Sequence, residues 1–228
     1  MNGLLLAIDT AGDALSYALH DGSALQAEHS WRAARQPTTQ LALAVARSLA
    51  DAGGASALTA LAVSLGPGSY TGLRSGIALA QGLAEAQELP LLGISAHETL
   101  VASCRPSAGR LWVIVPAGRG RWYVRRYQGR AGAWQEEGAL QQLTAAELRA
   151  QLGEGDALLG ADEALAGALA ENTTLYLAPP ATHLRRAGFL AERAWQRLRS
   201  AIADSADPRR AFPPEAIRPI YSIEEQRP

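Results

Sequence analysis

Asp9 closes the apolar run that begins at Leu4, and a carboxylate at a strand end beside a glycine-rich turn can hold Mg²⁺ through water. The glycine-rich turn is Gly66-Pro67-Gly68-Ser69-Tyr70-Thr71-Gly72. Ala60–Leu65 before it reads as a buried strand, and Leu73–Ala86 after it reads as a helix. Backbone N–H groups and the helix dipole point into such a turn and favour an anion. Asp9, Gly68 and Ser69 are therefore the candidate nucleotide contacts, with weak affinity expected. The same residues have plainer uses. Asp9 can cap the turn at Ala11-Gly12. Ser69 or Thr71 can cap the helix. The glycines can let strand and helix pack closely, with Gly68 or Gly72 expected at positive φ.

Other chemistry fares worse. The glycines stand at 66, 68, 72 and 76, so the dinucleotide pattern GxGxxG fails at Thr71, and the P-loop pattern lacks its lysine. The chain has no lysine at all, which removes Schiff bases and Ser–Lys dyads. His20, His29, His97 and His183 offer no pair at helical spacing for a metal. Cys104 has no nucleophile motif around it. No catalytic residue and no metal ligand is expected. Arg119, Arg121, Arg125, Arg126 and Arg130 are interleaved with Trp122, Tyr123 and Tyr127. Such a run can grip RNA through phosphates and stacked bases. Its alternation favours instead a strand with Trp122 and Val124 inward and Arg121, Tyr123 and Arg125 outward on a solvated face, since the run is short and the chain as a whole is not basic.

These residues need elements to position them. Leu4–Thr10, Ala14–His20 and Ala24–Trp31 read as three antiparallel strands, the last two joined by the hairpin signal Asp21-Gly22. Thr38–Ala52 and Leu73–Ala86 read as helices that are apolar nearly all round and so covered on two sides. Gly72, Gly76, Ala80 and Ala84 repeat every four residues and make a smooth stripe. Either both helices lie between the sheet and other helices, or they form a partner surface. We read a partner surface made by Leu41, Val45, Leu49, Leu73, Gly76, Ile77, Ala80 and Leu83. Downstream come strands at Leu111–Val115, Arg121–Tyr127, Ala157–Leu159 and Thr174–Leu177, with a turn at Pro116–Gly120. Thr144–Leu152 is a helix with a capping box to Glu147, Asp162–Ala170 a second, and Thr182–Ile202 a long amphipathic one. Pro208–Pro214 reads as a linker. The expected divisions are an N-terminal lobe over 1–105, a smaller lobe over 106–180, and a helix with tail over 181–228 that packs back on the first lobe.

The nonapeptide Gly66–Arg74 resembles the signature of the TsaB (YeaZ) family, bacterial partner subunits in making threonylcarbamoyladenosine in tRNA. Leu4–Thr10 resembles the family's opening and Leu89–Ser95 its strand after the second helix. The resemblance covers about residues 4–100 and is one of outline beyond. It implies an α/β, actin/hexokinase-like (ASKHA) two-lobed fold with mixed β-sheets flanked by helices. It implies a non-catalytic dimerisation subunit of the tRNA adenosine(37) N6-threonylcarbamoyltransferase complex. The implied partners are a catalytic homologue (TsaD-like), an ATPase subunit (TsaE-like), a second copy of the chain when alone, and tRNA indirectly. ATP and a metal are expected on those partner subunits, with none bound by this chain alone. Pairing through the two apolar helices is likewise a family expectation. The alternatives are an ATP-dependent phosphotransferase or weak ATPase of the same superfold and, further off, a peptidase.

The sequence departs from the family at three places. Thr38-Thr39 stands where the first helix usually starts with His followed by Ser or Thr. Pro116-Ala117-Gly118-Arg119 and then Arg121 replace an Asp-Ala-Arg turn and a following acidic residue. Ser222-Ile223 replaces a closing Leu-Arg.

Composition fits a soluble protein with a sizeable core. Apolar residues make up 48% of the chain, and the net charge of −1 offers no global pull toward nucleic acid or a membrane surface. One cysteine excludes an internal disulfide and fits a reducing compartment. Met1-Asn2-Gly3 carries no basic region, so no signal peptide is read and a cytoplasmic location is expected.

Overall fold

In β1 (Leu4–Asp9) successive side chains alternate between two faces, and both faces are apolar. A strand of that kind belongs in the middle of a sheet covered on both sides. The computed structural model, which describes residues 3–32, 37–170, 175–204 and 207–221, puts it there. β1 pairs antiparallel with β2 (Leu15–His20), and β2 with β3 (Leu25–Trp31). After α1 (Pro37–Asp51), β4 (Leu58–Gly66) lies parallel to β1. After α2 (Tyr70–Ala86), β5 (Leu91–Ser95) lies parallel to β4. The sheet order is β3-β2-β1-β4-β5. Leu6 and Ile8 pack with Leu41, Val45 and Leu49 of α1 and Ile77, Ala80 and Ala84 of α2. Leu5 and Ala7 face the other way, with Ala60, Ala62 and Ile94, onto α6 (Ala187–Ala203). The small residues on this second face let α6 lie close, with Trp195 filling the remaining space.

α3 (Ala96–Ala102) leads to a second sheet. It contains β6 (Arg110–Gly118), β7 (Arg121–Arg130) and β8 (Ala133–Leu143) in antiparallel array. After α4 (Ala145–Arg149), β9 (Ala157–Leu159) lies parallel to β6. After α5 (Glu163–Leu169), β10 (Tyr176–Leu177) lies parallel to β9. The order β10-β9-β6-β7-β8 is the first sheet's order with the same connectivity, three antiparallel strands followed by two parallel ones. Each sheet thus carries the mixed topology of the actin/hexokinase-like fold. Met1–Thr99 with Arg185–Ile220 form one compact unit, and Leu100–Leu184 with Tyr221–Pro228 form the other.

Four local readings need correction. β8 is a strand that the apolar pattern does not mark, because only Leu140 and Leu143 in it are buried and its sequence lacks apolar alternation. β6 runs through Pro116 and Ala117, and the turn is confined to Arg119-Gly120, with φ positive from Gly118 to Gly120. The long helix does not begin at Thr182. A 3₁₀ turn spans Pro180–His183, Leu184 and Arg185 are off the helix, and α6 starts at Ala187. Pro208–Ala211 forms a short helix, α7, capped by Asp207, where a linker was expected. Thr174 and Ser222-Ile223 lie outside the described residues.

Candidate functional site

The glycine turn and the end of β1 are packed backbone to backbone. A Cβ on Gly68 would stand 2.2 Å from the Ala11 carbonyl oxygen, and one on Gly72 would stand 2.1 Å from that of Thr10. A Cβ on Gly76 would meet Thr10 Oγ1 at 2.1 Å. The Ser69 N–H donates to the Ala11 carbonyl at 2.9 Å, and Thr10 Oγ1 donates to the Gly72 carbonyl at 2.6 Å. Ser69 is the N-cap of α2, its Oγ accepting from the Gly72 N–H. The glycines therefore serve close approach. The positive φ expected at Gly68 or Gly72 belongs to Gly66, at 87°, ahead of a cis peptide to Pro67.

Asp9 is 1% exposed, and its Oδ1 accepts the Ala11 N–H at 2.8 Å, the turn-capping arrangement. Its Oδ2 faces Arg185 Nε at 3.3 Å. Arg185, 8% exposed, also donates from Nη1 to the Pro67 carbonyl at 3.1 Å. One guanidinium thus joins the end of β1 to the glycine turn. Arg185 could not be found in the sequence, because it is separated from Asp9 by most of the chain and sits in no motif. The only local trace is Gly12, where a Cβ would stand 2.6 Å from Arg185 Nη2.

The residues read as a partner surface are not on one. Leu41, Val45, Leu49, Leu73, Gly76, Ile77 and Ala80 are buried within their own unit, and Leu83 is half-buried against the same core. The stripe Gly72-Gly76-Ala80-Ala84 faces inward, where Gly72 and Gly76 admit Thr10 and Ala80 and Ala84 join the core under the helices. A small-residue stripe permits close approach of whatever lies against it, and here that is the chain itself. Arginine at Ala80, at 0% exposure, would enter the core. The outer faces belong to other residues. On α1 they are Thr39, Leu43, Ala46 and Ala50, and on α2 Thr71, Arg74, Ala78 and Gly82. Leu43 is 57% exposed. Thr39 lies on this outer face, whereas the side chain of Thr38 lies outside the described residues.

The arginine run is divided between the two faces of β7, with Arg121 and Arg130 exposed and Arg125 and Arg126 half-buried. Trp122 and Val124 are buried, as the alternation requires. β7 keeps its register with β6 from Trp122 to Gln128, so Arg126 shares the face of Trp122 and Val124 and lies 5.6 Å over the Trp112 ring, while Tyr127 is buried on the opposite face, across from Leu111. Across on β8, Glu136 pairs with Arg125, and Glu137 pairs with Arg126 at 3.1 Å and Arg130 at 3.7 Å. Arg121 lies 3.8 Å from Glu147, whose carboxyl is held below its ordinary range chiefly by the Thr144 N–H in the capping box. Four of the five arginines thus face a carboxylate. Burial pushes the half-buried Cys104 thiol up, away from the reactive thiolate. Among the described residues, no group of three His, Cys, Asp or Glu side chains could hold a metal, and no helix is long and apolar enough to cross a membrane. At the end of β6, the place in the second sheet that Asp9 holds in the first, stand Pro116, Ala117 and Gly118, without a carboxylate.

Residues 31–149, just over half of the chain, match the family model described as TsaD: tRNA N6-adenosine threonylcarbamoyltransferase. The tRNA threonylcarbamoyladenosine biosynthesis protein TsaB of Escherichia coli strain K12 is 36% identical over 138 residues, which are 58% of this chain and 59% of that protein. The protein of the same name from Bacillus subtilis strain 168 is 36% identical over 129 residues, 56% of each chain. The matched stretch thus spans less than two thirds of these relatives' length. The solved structure of YeaZ from Pseudomonas aeruginosa superposes with a TM-score of 0.75 at 25% identity, covering 96% of this chain and all of that one. With the nonapeptide Gly66–Arg74 joining β4 to α2 and the actin-like strand order around it, the chain belongs to the TsaB (YeaZ) family.

Proposed function

We propose that this protein is a non-catalytic subunit of a cytoplasmic tRNA adenosine(37) N6-threonylcarbamoyltransferase complex. Its role is to dock the catalytic homologue, and a second copy of itself when alone, through the outer faces of α1 and α2. ATP and a metal belong to the partner subunits, and tRNA meets the assembly through them. The observation that carries this reading is the strip formed by Leu43, Ala46, Ala50, Ala78 and Gly82. Two neighbouring helices present small and apolar side chains to solvent, with Arg47 and Arg74 alongside, and such a strip marks an interaction surface. The phosphotransferase alternative is disfavoured, because Asp9 is paired internally and the end of β6 offers no carboxylate. The peptidase alternative is disfavoured because Cys104 has no nucleophile motif around it and is half-buried.

Reconstitution tests the proposal. The chain is mixed with threonylcarbamoyl-adenylate and tRNA, alone or with the catalytic and ATPase subunits, and modified nucleoside is measured by mass spectrometry. Product is expected only in the mixture. Ala78→Arg should abolish product there and abolish co-purification with the catalytic subunit, with its thermal melt unchanged. Product from the chain alone, or undiminished binding by Ala78→Arg, would refute the reading.

A further inference from the structure

We propose that Arg185 is a built-in cation occupying the ligand position of the glycine turn, so that the joint between β1 and α2 is liganded by the chain itself. The inference goes beyond the proposed docking role and does not depend on it. The geometry has the parts of a phosphate or metal site: a buried carboxylate at a strand's end, a glycine turn, and the N-terminus of a 17-residue helix. The parts do not fit Mg²⁺ and a nucleotide phosphate. Asp9 Oδ1 is taken by the Ala11 N–H, and Oδ2 faces the Arg185 guanidinium, which also bridges to the Pro67 carbonyl. The Ser69 N–H, which could serve an anion, is held by Ala11, and Gly68 lies too close to that carbonyl for the turn to open toward β1.

Charge completes the argument. Asp9 and Arg185 together are neutral, so the pair attracts neither a divalent cation nor a phosphate. Either ligand would have to displace one partner and leave the other buried and uncompensated, which is strongly unfavourable. Asp9 Oδ2 and Arg185 Nη2 make no hydrogen bond and are sealed from solvent, so the pair acts by charge and shape instead of a fork-to-fork geometry. Gly12 admits the guanidinium, since a Cβ there would stand 3.1 Å from Nε and 3.2 Å from Cζ.

Removing the guanidinium should expose the site it fills. Thermal melts of the full chain are recorded with and without millimolar MnCl₂ for wild type, Arg185→Ala, and the double variant Asp9→Asn with Arg185→Ala. Mn²⁺ is expected to raise the melting temperature of Arg185→Ala by about 2–4 °C at a few-fold excess over its dissociation constant. Wild type and the double variant should stay where they are. If Arg185→Ala does not fold, Arg185→Gln takes its place, which removes the charge while keeping a polar side chain with an N–H donor. An equal shift in wild type would show that the pair masks nothing. A single variant that shifts no more than the double variant would show that no cation position lies beneath it. Either result overturns the proposal.

Discussion

The same substitution, glycine to alanine, should have opposite effects at two positions of α2. Gly72 lies in the first turn of the helix and Gly82 in its last half. At Gly72 the new Cβ would stand 2.1 Å from the Thr10 carbonyl oxygen, a backbone atom at the end of β1. Ordinary contact needs 3 Å or more, so strand end and helix must part by nearly an ångström. Overpacking of this kind costs about 1–3 kcal/mol. The separation also breaks the hydrogen bond from Thr10 Oγ1 to the Gly72 carbonyl, which contributes about 1 kcal/mol. Alanine's better helix propensity returns about 1 kcal/mol. The net loss is about 2 kcal/mol, and the melting temperature should fall by about 4–8 °C for a chain of this size. At Gly82 no atom lies within 4 Å of the new Cβ, and the residue is exposed. Only the propensity gain remains, about 1 kcal/mol or 2–4 °C upward. Both variants are measured by far-UV circular dichroism melts at one protein concentration. A Gly72→Ala variant as stable as wild type would falsify the packing account of the glycine turn, as would a Gly82→Ala variant that drops as far as Gly72→Ala.

Two further outcomes follow from the electrostatics. The Asp21 carboxyl is held down from its ordinary 3.8 to about 2, first by the Ser23 hydroxyl and then by the Ala24 and Ser23 N–H groups in the β2–β3 turn. A depressed pKa contributes stability that is present above pH 3.8 and lost as pH falls toward 2. Amide exchange at Ser23 and Ala24 should therefore show protection falling over that window, relative to the chain's core amides, and Asp21→Asn should abolish the pH dependence. Replacing Glu136 and Glu137 together by glutamine removes the partners of Arg125, Arg126 and Arg130. Single-stranded RNA binding at low salt, measured by fluorescence anisotropy, should rise in that variant and fall back with added salt, while Arg130→Ala in the wild-type background leaves it unchanged. Loss of substantial wild-type RNA binding in Arg130→Ala would show that the arginine run is an RNA surface after all.

Features governed by neighbours in sequence were legible without the structure. The three opening strands, the Asp21-Gly22 hairpin, a cap by Ser69 or Thr71 and the Thr144–Glu147 capping box each depend on a few consecutive residues, and the structure contains them, with Ser69 as the cap. The nonapeptide Gly66–Arg74 carried the family for the same reason. Tertiary structure decided which way things face and what meets across the chain. Leu41 and Leu43 are both leucines of α1, yet one is fully buried and the other exposed, because the helix phase against the sheet chooses between them. Small residues at Gly72, Gly76 and Ala80 signalled close packing correctly, but spacing cannot say whether the neighbour is a partner or the end of the chain's own β1. β8 is held by pairing to β7 and by carboxylates opposite arginines, interactions with no trace in its own apolar pattern. Arg185 meets Asp9 only because residues 184–186 leave the helical path before α6 begins, which brings a guanidinium from the far end of the sequence to the strand that starts it.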